Sequence, residues 1–238
     1  MSNPETVEAL PRDQVLRAIA HQDPAYVPAW YDYFAQETRR QYGPRLQALL
    51  ANYPDDVVFA VLSTFPPAEE MVPGWTDEWG CSWNRAAVGA ISTESPLSQS
   101  WDLLPDYLEH GLPDLGQRTD ILDRVRQRRE EHPDRYLVAT TWLAVFERLR
   151  ALRGAENVLI DLHRHPEELV TLRDAVADEF LDQAAGAAAR GADAVLLADD
   201  FGTQASLLIS PAHWRQFFRP CYERMVDRIH ELGLHAWF

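Results

Sequence analysis

The stretch that decides the fold is DAVLLADDFGTQASLLISPAHWRQFFRPCYERMVDRIHELG, residues 193–233. It opens with the short apolar run from Asp193 to Ala198, and a run of this length predicts a strand buried on both faces, as in parallel sheets. Two aspartates and a loop follow. A helix is then predicted from the cap Ser210 with Pro211 at its first position to Gly233, with a kink expected at Pro220.

The same strand–helix unit recurs on both sides of this stretch. The other predicted strands are Tyr26–Tyr31, Asp56–Leu62, Tyr136–Thr141 and Leu234–Phe238. The other predicted helices are Arg12–His21, Phe34–Leu50 with a break at Gly43-Pro44, Asp114–Glu131, Val145–Leu162 with an interruption at Gly154, and Glu167–Arg190. This alternation predicts an α/β protein with about five parallel strands. A closed barrel and an open doubly wound sheet both fit, but no GxGxxG follows the first strand, which disfavours a dinucleotide-binding sheet.

Residues 63–114 interrupt the alternation with turn-forming dipeptides and four tryptophans. We interpret them as an excursion from a single domain of residues 1–238, because about fifty loop-rich residues rarely fold alone. A β-hairpin is predicted within Trp79–Thr93. Trp75, Trp79 and Trp83 are expected to pack the excursion onto the domain, and the alternative is an aromatic wall over a flat ligand.

Composition excludes several classes of protein. The formal net charge is −15 without a basic stripe, which argues against nucleic-acid binding. No apolar run approaches the length of a membrane span, and the N-terminus lacks the pattern of a secretory signal, so no membrane contact is expected. The two cysteines, Cys81 and Cys221, lie too far apart for a CxxC site or a disulfide framework. These features predict a cytoplasmic protein.

Side chains just past the carboxyl ends of parallel strands line the active sites of barrels. Asp199 and Asp200 are therefore predicted as catalytic carboxylates, one of which orients a polar substrate or a metal-bound water in the complete enzyme. The alternative is that Asp199 caps a turn and Asp200 is only solvated. Residues predicted to bind substrate at the same mouth are Asp32, Thr141, Trp142, Gln204 and His235. His163 and His165 form at most a weak metal motif, and no metal ligand is assigned.

Three segments resemble the uroporphyrinogen decarboxylase-like superfamily. They are RDQVLRAIAHQDPAYVPAW (residues 12–30), DEWGCSW (residues 77–83) and the stretch from residue 198 to residue 233. The resemblance extends from Arg12 to Phe238 and implies a (β/α)8 TIM barrel, here incomplete and ending before the barrel closes. The superfamily includes cofactor-free uroporphyrinogen decarboxylases of haem synthesis. It also includes zinc-dependent methyltransferases that move methyl groups between corrinoid proteins and thiols or other acceptors.

The sequence departs from the decarboxylase pattern at two positions. The family's arginine-rich segment after the first strand is replaced by Tyr31-Asp32-Tyr33-Phe34, and Ser63-Thr64 stand where the family has an Asp. The methyltransferase branch places zinc on a His-x-Cys element after the fifth strand. Cys81 and Cys221 match no ligand position, and His235 comes too early. The resemblance therefore implies no cofactor within this chain, and zinc only in a full-length protein.

The leading interpretation is methyl transfer involving a corrinoid protein and a zinc-activated acceptor. One alternative is decarboxylation of uroporphyrinogen III, and another is an inactive truncated or binding protein. A small-molecule substrate and a corrinoid protein are the implied partners. A homodimer is a further arrangement compatible with an unpaired last strand, because exposed sheet edges favour association.

Overall fold

A parallel sheet lies at the centre of the computed structural model, which describes residues 8–31, 36–66, 70–86, 89–141 and 143–238. The strands are β1 (Val57–Val61), β2 (Trp75–Thr76), β3 (Ser82–Arg85), β4 (Ala90–Glu94), β5 (Tyr136–Thr141), β6 (Ala194–Leu197) and β7 (His235–Trp237). The α-helices are α1 (Arg12–Ile19), α2 (Gln36–Leu50), α3 (Leu104–His110), α4 (Thr119–Glu131), α5 (Val145–Arg153), α6 (Ala155–Arg164), α7 (Pro166–Ala188), α8 (Pro211–His213) and α9 (Arg219–Glu231). Within the described residues the central sheet has four strands in the order β1-β5-β6-β7, all parallel. The predicted α/β class and sequential strand order are confirmed.

The central sheet has two faces that differ in what covers them. Leu137 and Ala139 of β5 belong to the large apolar cluster formed with the helices, and we call this side the outer face. Tyr136 and Val138 point the other way, because successive side chains of a strand alternate, and this side is the inner face. All six residues of β5 are buried. Full burial of a Leu or Val side chain contributes about 1.5–3 kcal/mol, so β5 anchors the core.

Helix α1 covers the inner face at the amino ends of the strands. Val15 packs there with Leu10 against Tyr136 and Val138. The carboxylate of Asp193, just before β6, accepts from Arg12 Nε and Arg129 Nη2, both at 2.6 Å. This double ion pair ties α1 and α4 to the base of the sheet, because Asp193 is almost fully buried.

The predicted strand at Tyr26–Tyr31 is wrong, since the structure forms no strand there. The Ala29 carbonyl accepts from Asp56 N at 2.9 Å, but the Ala29 N–H donates to the side chain of Asp56 at 2.8 Å. A carboxylate therefore takes the place of a partner strand, and Pro28 offers no N–H for a ladder. The segment still packs against the sheet, with the Trp30 ring 4.1 Å from the Phe59 ring.

The excursion forms a second, antiparallel sheet in the order β2-β3-β4. The predicted hairpin is confirmed as β3 and β4, and β2 adds a strand that the sequence did not indicate. Trp79 is 1% exposed and Trp83 is 5% exposed, and both belong to the same apolar cluster as the helices. These two rings pack the excursion onto the domain and are too buried to form the aromatic wall over a ligand that was the alternative.

Most predicted helices are confirmed, with shifted ends. Gly154 adopts a φ of 93° and separates α5 from α6, as its position suggested. The side chain of Ser210 accepts from His213 N and opens α8. The helix predicted from Ser210 to Gly233 is interrupted ahead of Pro220 by a π-helical turn at Trp214–Phe218. Pro220 therefore falls in the first turn of α9, where a backbone N–H would have no intrahelical acceptor.

Candidate active site

The carboxyl ends of β1, β5 and β6 open on one side of the central sheet, and we call this side the mouth. It is lined by the residues that follow each strand, among them residues 62–66 and 198–204. In barrel enzymes this is the side that holds the reacting groups.

Asp199 is fully engaged by hydrogen bonds at the mouth. Its Oδ2 accepts from Phe146 N at 2.7 Å and from the Tyr222 hydroxyl, and its Oδ1 accepts from Glu147 N at 2.8 Å and Asp200 N at 3.2 Å. The residue before α5, Ala144, offers no side-chain cap, so Asp199 caps this helix from a distant part of the chain. Burial raises the pKa of the Asp199 carboxyl, and the donors from Tyr222, Phe146 and Glu147 oppose that rise.

Asp200 has a different environment, although it is the next residue. Its Oδ1 accepts from Gly202 N at 2.9 Å, and the residue is exposed. Within the described residues, its Oδ2 has no hydrogen-bond partner. A carboxylate oxygen that faces solvent at the mouth is available to a ligand.

Glu147 is a third carboxyl group at the mouth, and sequence reasoning missed it. It lies in the first turn of α5 and pairs with Arg150. Burial raises the pKa of Glu147, and the charges of Asp199 and Asp200 raise it further, while Arg150 lowers it. The sequence offered no signal, because an acidic residue in the first turn of a helix is ordinary.

The residues that follow β1 are neutral or already paired. The hydroxyl of Thr64 donates to the carboxylate of Glu78, and Ser63 Oγ accepts from Phe65 N at 3.1 Å. Arg124 reaches this end of the strand, but its Nη1 donates to the carbonyls of Val61 and Ser63. This part of the mouth therefore presents no guanidinium group directed at a ligand.

The other predicted site residues do not converge on one point. Thr141 lies on the outer face with Leu137 and Ala139, and the residue that shares the inner face is Thr140. The Thr140 hydroxyl is buried without a hydrogen-bond partner among the described residues, beside a cavity of about 420 Å³ that Trp30 and Phe59 also line. Gln204 is exposed at the tip of the loop after β6. Asp32 and Trp142 lie outside the described residues.

His235 lies at the opposite end of the sheet from the mouth. It begins β7, pairs with Ala194 at the start of β6, and its Nδ1 lies 2.6 Å from the Tyr136 hydroxyl. Asp199 follows Ala194 by five positions, or about 16 Å along an extended chain. His235 therefore belongs to the base of the inner face, near α1.

The described residues do not fit a zinc site. They contain no group of three or more His, Cys, Asp or Glu side chains placed to hold a metal. Both cysteines are buried, and burial raises the pKa of Cys81 to about 12 and that of Cys221 to about 11. A thiol with a raised pKa resists the deprotonation that zinc binding requires.

None of the described helices combines the length and apolarity needed to cross a membrane.

Comparisons with known proteins agree with this architecture. The family model for uroporphyrinogen decarboxylase (URO-D) matches residues 106–236, which is more than half of the chain. No curated protein matches. Among solved structures, a methyltransferase from Methanosarcina mazei superposes with a TM-score of 0.63 at 18% identity, covering 93% of this chain and 68% of that one. The fold is thus an incomplete barrel of the (β/α)8 type, with four parallel strands in the described residues. The chain belongs to the uroporphyrinogen decarboxylase (URO-D) family.

Proposed function

We propose that this URO-D family chain takes part in methyl transfer to or from a small, uncharged or cationic substrate, with a corrinoid protein as its partner. The observation that carries the proposal is the acidic mouth, where Asp199, Asp200 and Glu147 come together. The similarity in fold to a methyltransferase supports it.

The acidic mouth disfavours the alternative substrate, uroporphyrinogen, which bears many carboxylates. Two like charges about 6 Å apart repel by about 3 kcal/mol at the effective dielectric constant of a protein surface. Arg124 and Arg150 lie near the mouth, and each is already paired within the protein. A polyanionic macrocycle would therefore meet net repulsion there.

The inner face offers an apolar wall below the carboxylates. The half-buried Phe59 and Trp237 lie on it, and their rings are 6.4 Å apart in an edge-to-face arrangement. An apolar part of a substrate fits against this wall, while Oδ2 of Asp200 accepts a hydrogen bond from its polar end. Asp199 positions the start of α5, and with it Glu147.

No step through zinc is derived, because the described residues do not fit a zinc site. When bound by its own protein, a corrinoid supplies or accepts the methyl group. The residues described here are assigned only the binding and orientation of the small-molecule substrate.

The test compares two reactions with the same protein. Methyl transfer is followed as the loss of methylcobalamin absorbance in the presence of thiol acceptors, and uroporphyrinogen decarboxylation by chromatography of the porphyrin products. We expect methyl transfer only. Asp200→Asn should lower kcat/KM by about 10–100-fold, because a hydrogen bond to a charged group contributes about 1.5–3 kcal/mol. Asp106→Asn, at an exposed position of α3, is the matched control and should leave kcat/KM unchanged.

Three outcomes would overturn the proposal. The first is decarboxylation without methyl transfer, and the second is the absence of both reactions. The third is an Asp200→Asn variant with the wild-type kcat/KM, which would remove the acidic mouth from the mechanism.

A further inference from the structure

Two histidines from different helices meet on the surface of the protein. His163 lies in the last turn of α6, and His213 ends α8. Their ring centroids are 4.5 Å apart and their planes are inclined by 83°. The sequence analysis considered His163 together with His165 as a weak metal motif. In the structure Nδ1 of His165 lies 3.7 Å from Oε1 of Glu168.

The imidazole nitrogens of this pair are free for a ligand. Within the described residues, neither side chain makes a hydrogen bond or an ion pair. The rings contact each other, and the His213 ring also lies 6.2 Å from the Phe217 ring. His163 is exposed and His213 half-buried, so solvent reaches the pair. A neutral imidazole nitrogen is the commonest protein ligand for transition metals.

The separation of the rings matches two ligands of one metal ion. An imidazole centroid lies roughly 3.2 Å from a metal bound at about 2.0–2.1 Å from the nitrogen. Two such rings at a right angle place their centroids about 4.5 Å apart, whereas tetrahedral ligands place them about 5.2 Å apart. The observed 4.5 Å agrees with the right angle. Square-planar and tetragonal sites of this kind are typical of Cu(II) and Ni(II).

The position of the pair follows from the topology. α8 begins after the loop that follows β6, on the same side as the mouth. α7 ends just before the amino end of β6, so its start, and the end of α6 beside it, lie on the mouth side as well. The pair therefore lies on the outer rim of the mouth, on the helical layer.

We propose that His163 and His213 form a two-histidine site for a divalent transition metal that prefers ligands at right angles, with water completing the coordination. The site is separate from Asp199 and Asp200, and it does not depend on the proposed methyl transfer. Nearby charged groups are Arg164, His165, Glu168 and Arg215, of which Glu168 faces His165.

The experiment titrates the protein with CuSO4, NiCl2 and ZnCl2 by isothermal calorimetry, and records the electron paramagnetic resonance spectrum of the Cu(II) complex. We expect one Cu(II) per chain, coupled to two imidazole nitrogens, and affinity in the order Cu(II) over Ni(II) and Zn(II). His163→Ala and His213→Ala should each weaken Cu(II) binding by at least about tenfold, since loss of even an outer-shell group costs that much. His165→Ala and His230→Ala are the controls and should bind as the wild type does.

Three results of this experiment would overturn the two-histidine site. Wild-type affinity in either His163→Ala or His213→Ala would overturn the site, as would equal weakening in the His165→Ala control. Coupling to one nitrogen instead of two would show that the rings do not act together, and would also overturn it.

Discussion

At the scale of single residues, the alternation of side chains separates two neighbouring aspartates. Both lie at the mouth, but Asp199 is turned towards the start of α5 and held by four donors, whereas Asp200 keeps one carboxylate oxygen without a partner among the described residues. Adjacent residues of an extended segment point to opposite sides, so they cannot share one role. Asp199 caps helix α5, where one alternative from the sequence had it cap a turn, and a catalytic or ligand-binding role for Asp200 stays a prediction.

This arrangement predicts unequal effects on stability. Asp199→Ala should lower the free energy of unfolding by about 2–4 kcal/mol, because it leaves the N–H groups of Phe146 and Glu147 and the Tyr222 hydroxyl unpaired. Asp200→Ala removes an exposed side chain and should change the free energy of unfolding by less than about 0.5 kcal/mol. Urea denaturation measures both. Equal stabilities of the two variants would contradict the capping role.

At the scale of elements, one buried ion pair joins the excursion to the domain. Oδ2 of Asp77, between β2 and β3, lies 2.5 Å from Nη1 of Arg148 on α5, and both side chains are less than 5% exposed. Asp77 also accepts from Trp79 N at 3.0 Å and Trp83 Nε1 at 3.0 Å. The guanidinium of Arg148 lies 4.8 Å from the Trp79 ring centroid. Residues 77–83, one of the segments that resemble the family, therefore hold the excursion against α5.

Removing one partner of this ion pair should lower the stability of the protein. Arg148→Met should lower the free energy of unfolding by about 3–5 kcal/mol, because Asp77 would be left buried without its ion-pair partner. The matched control is Arg228→Met, whose partner Glu231 is 66% exposed, and it should cost less than about 1 kcal/mol. Chemical denaturation gives both values. A loss below about 1 kcal/mol for Arg148→Met would show that the pair does not hold the excursion.

At the scale of the whole molecule, one apolar cluster spans the excursion and the helical layer. It contains Cys81 of the excursion and Cys221 of α9, and both thiols are almost completely buried. The prediction of a single domain implies that these two regions unfold together, since they share one core.

Thiol labelling tests this cooperativity. Burial raises the pKa of Cys81 to about 12 and that of Cys221 to about 11, so at pH 8 neither thiol should react until the protein opens. We expect both cysteines to label with the same opening free energy, equal to that of global unfolding. Mass spectrometry of labelled peptides distinguishes them. Faster labelling of Cys81 would show that the excursion opens by itself.

Local sequence by itself determined most of the elements of this protein. The runs at 136–141 and 193–198 are apolar on both faces, and that pattern identifies a buried parallel strand without knowledge of its partners. Gly154 and Ser210 likewise mark helix ends through their own conformational and capping properties. These features depend on neighbours within a few residues.

Tertiary structure alone decided which groups meet. The strand predicted at Tyr26–Tyr31 is absent because the Asp56 side chain, from a distant position, takes the Ala29 N–H. Asp199 caps α5 because the start of that helix lies beside it. His235 lies far from the mouth because β7 pairs with the beginning of β6. The physical reason is the same in each case. A hydrogen bond or a strand register between remote segments depends on how the chain packs. It cannot be predicted from the residues that are neighbours in sequence.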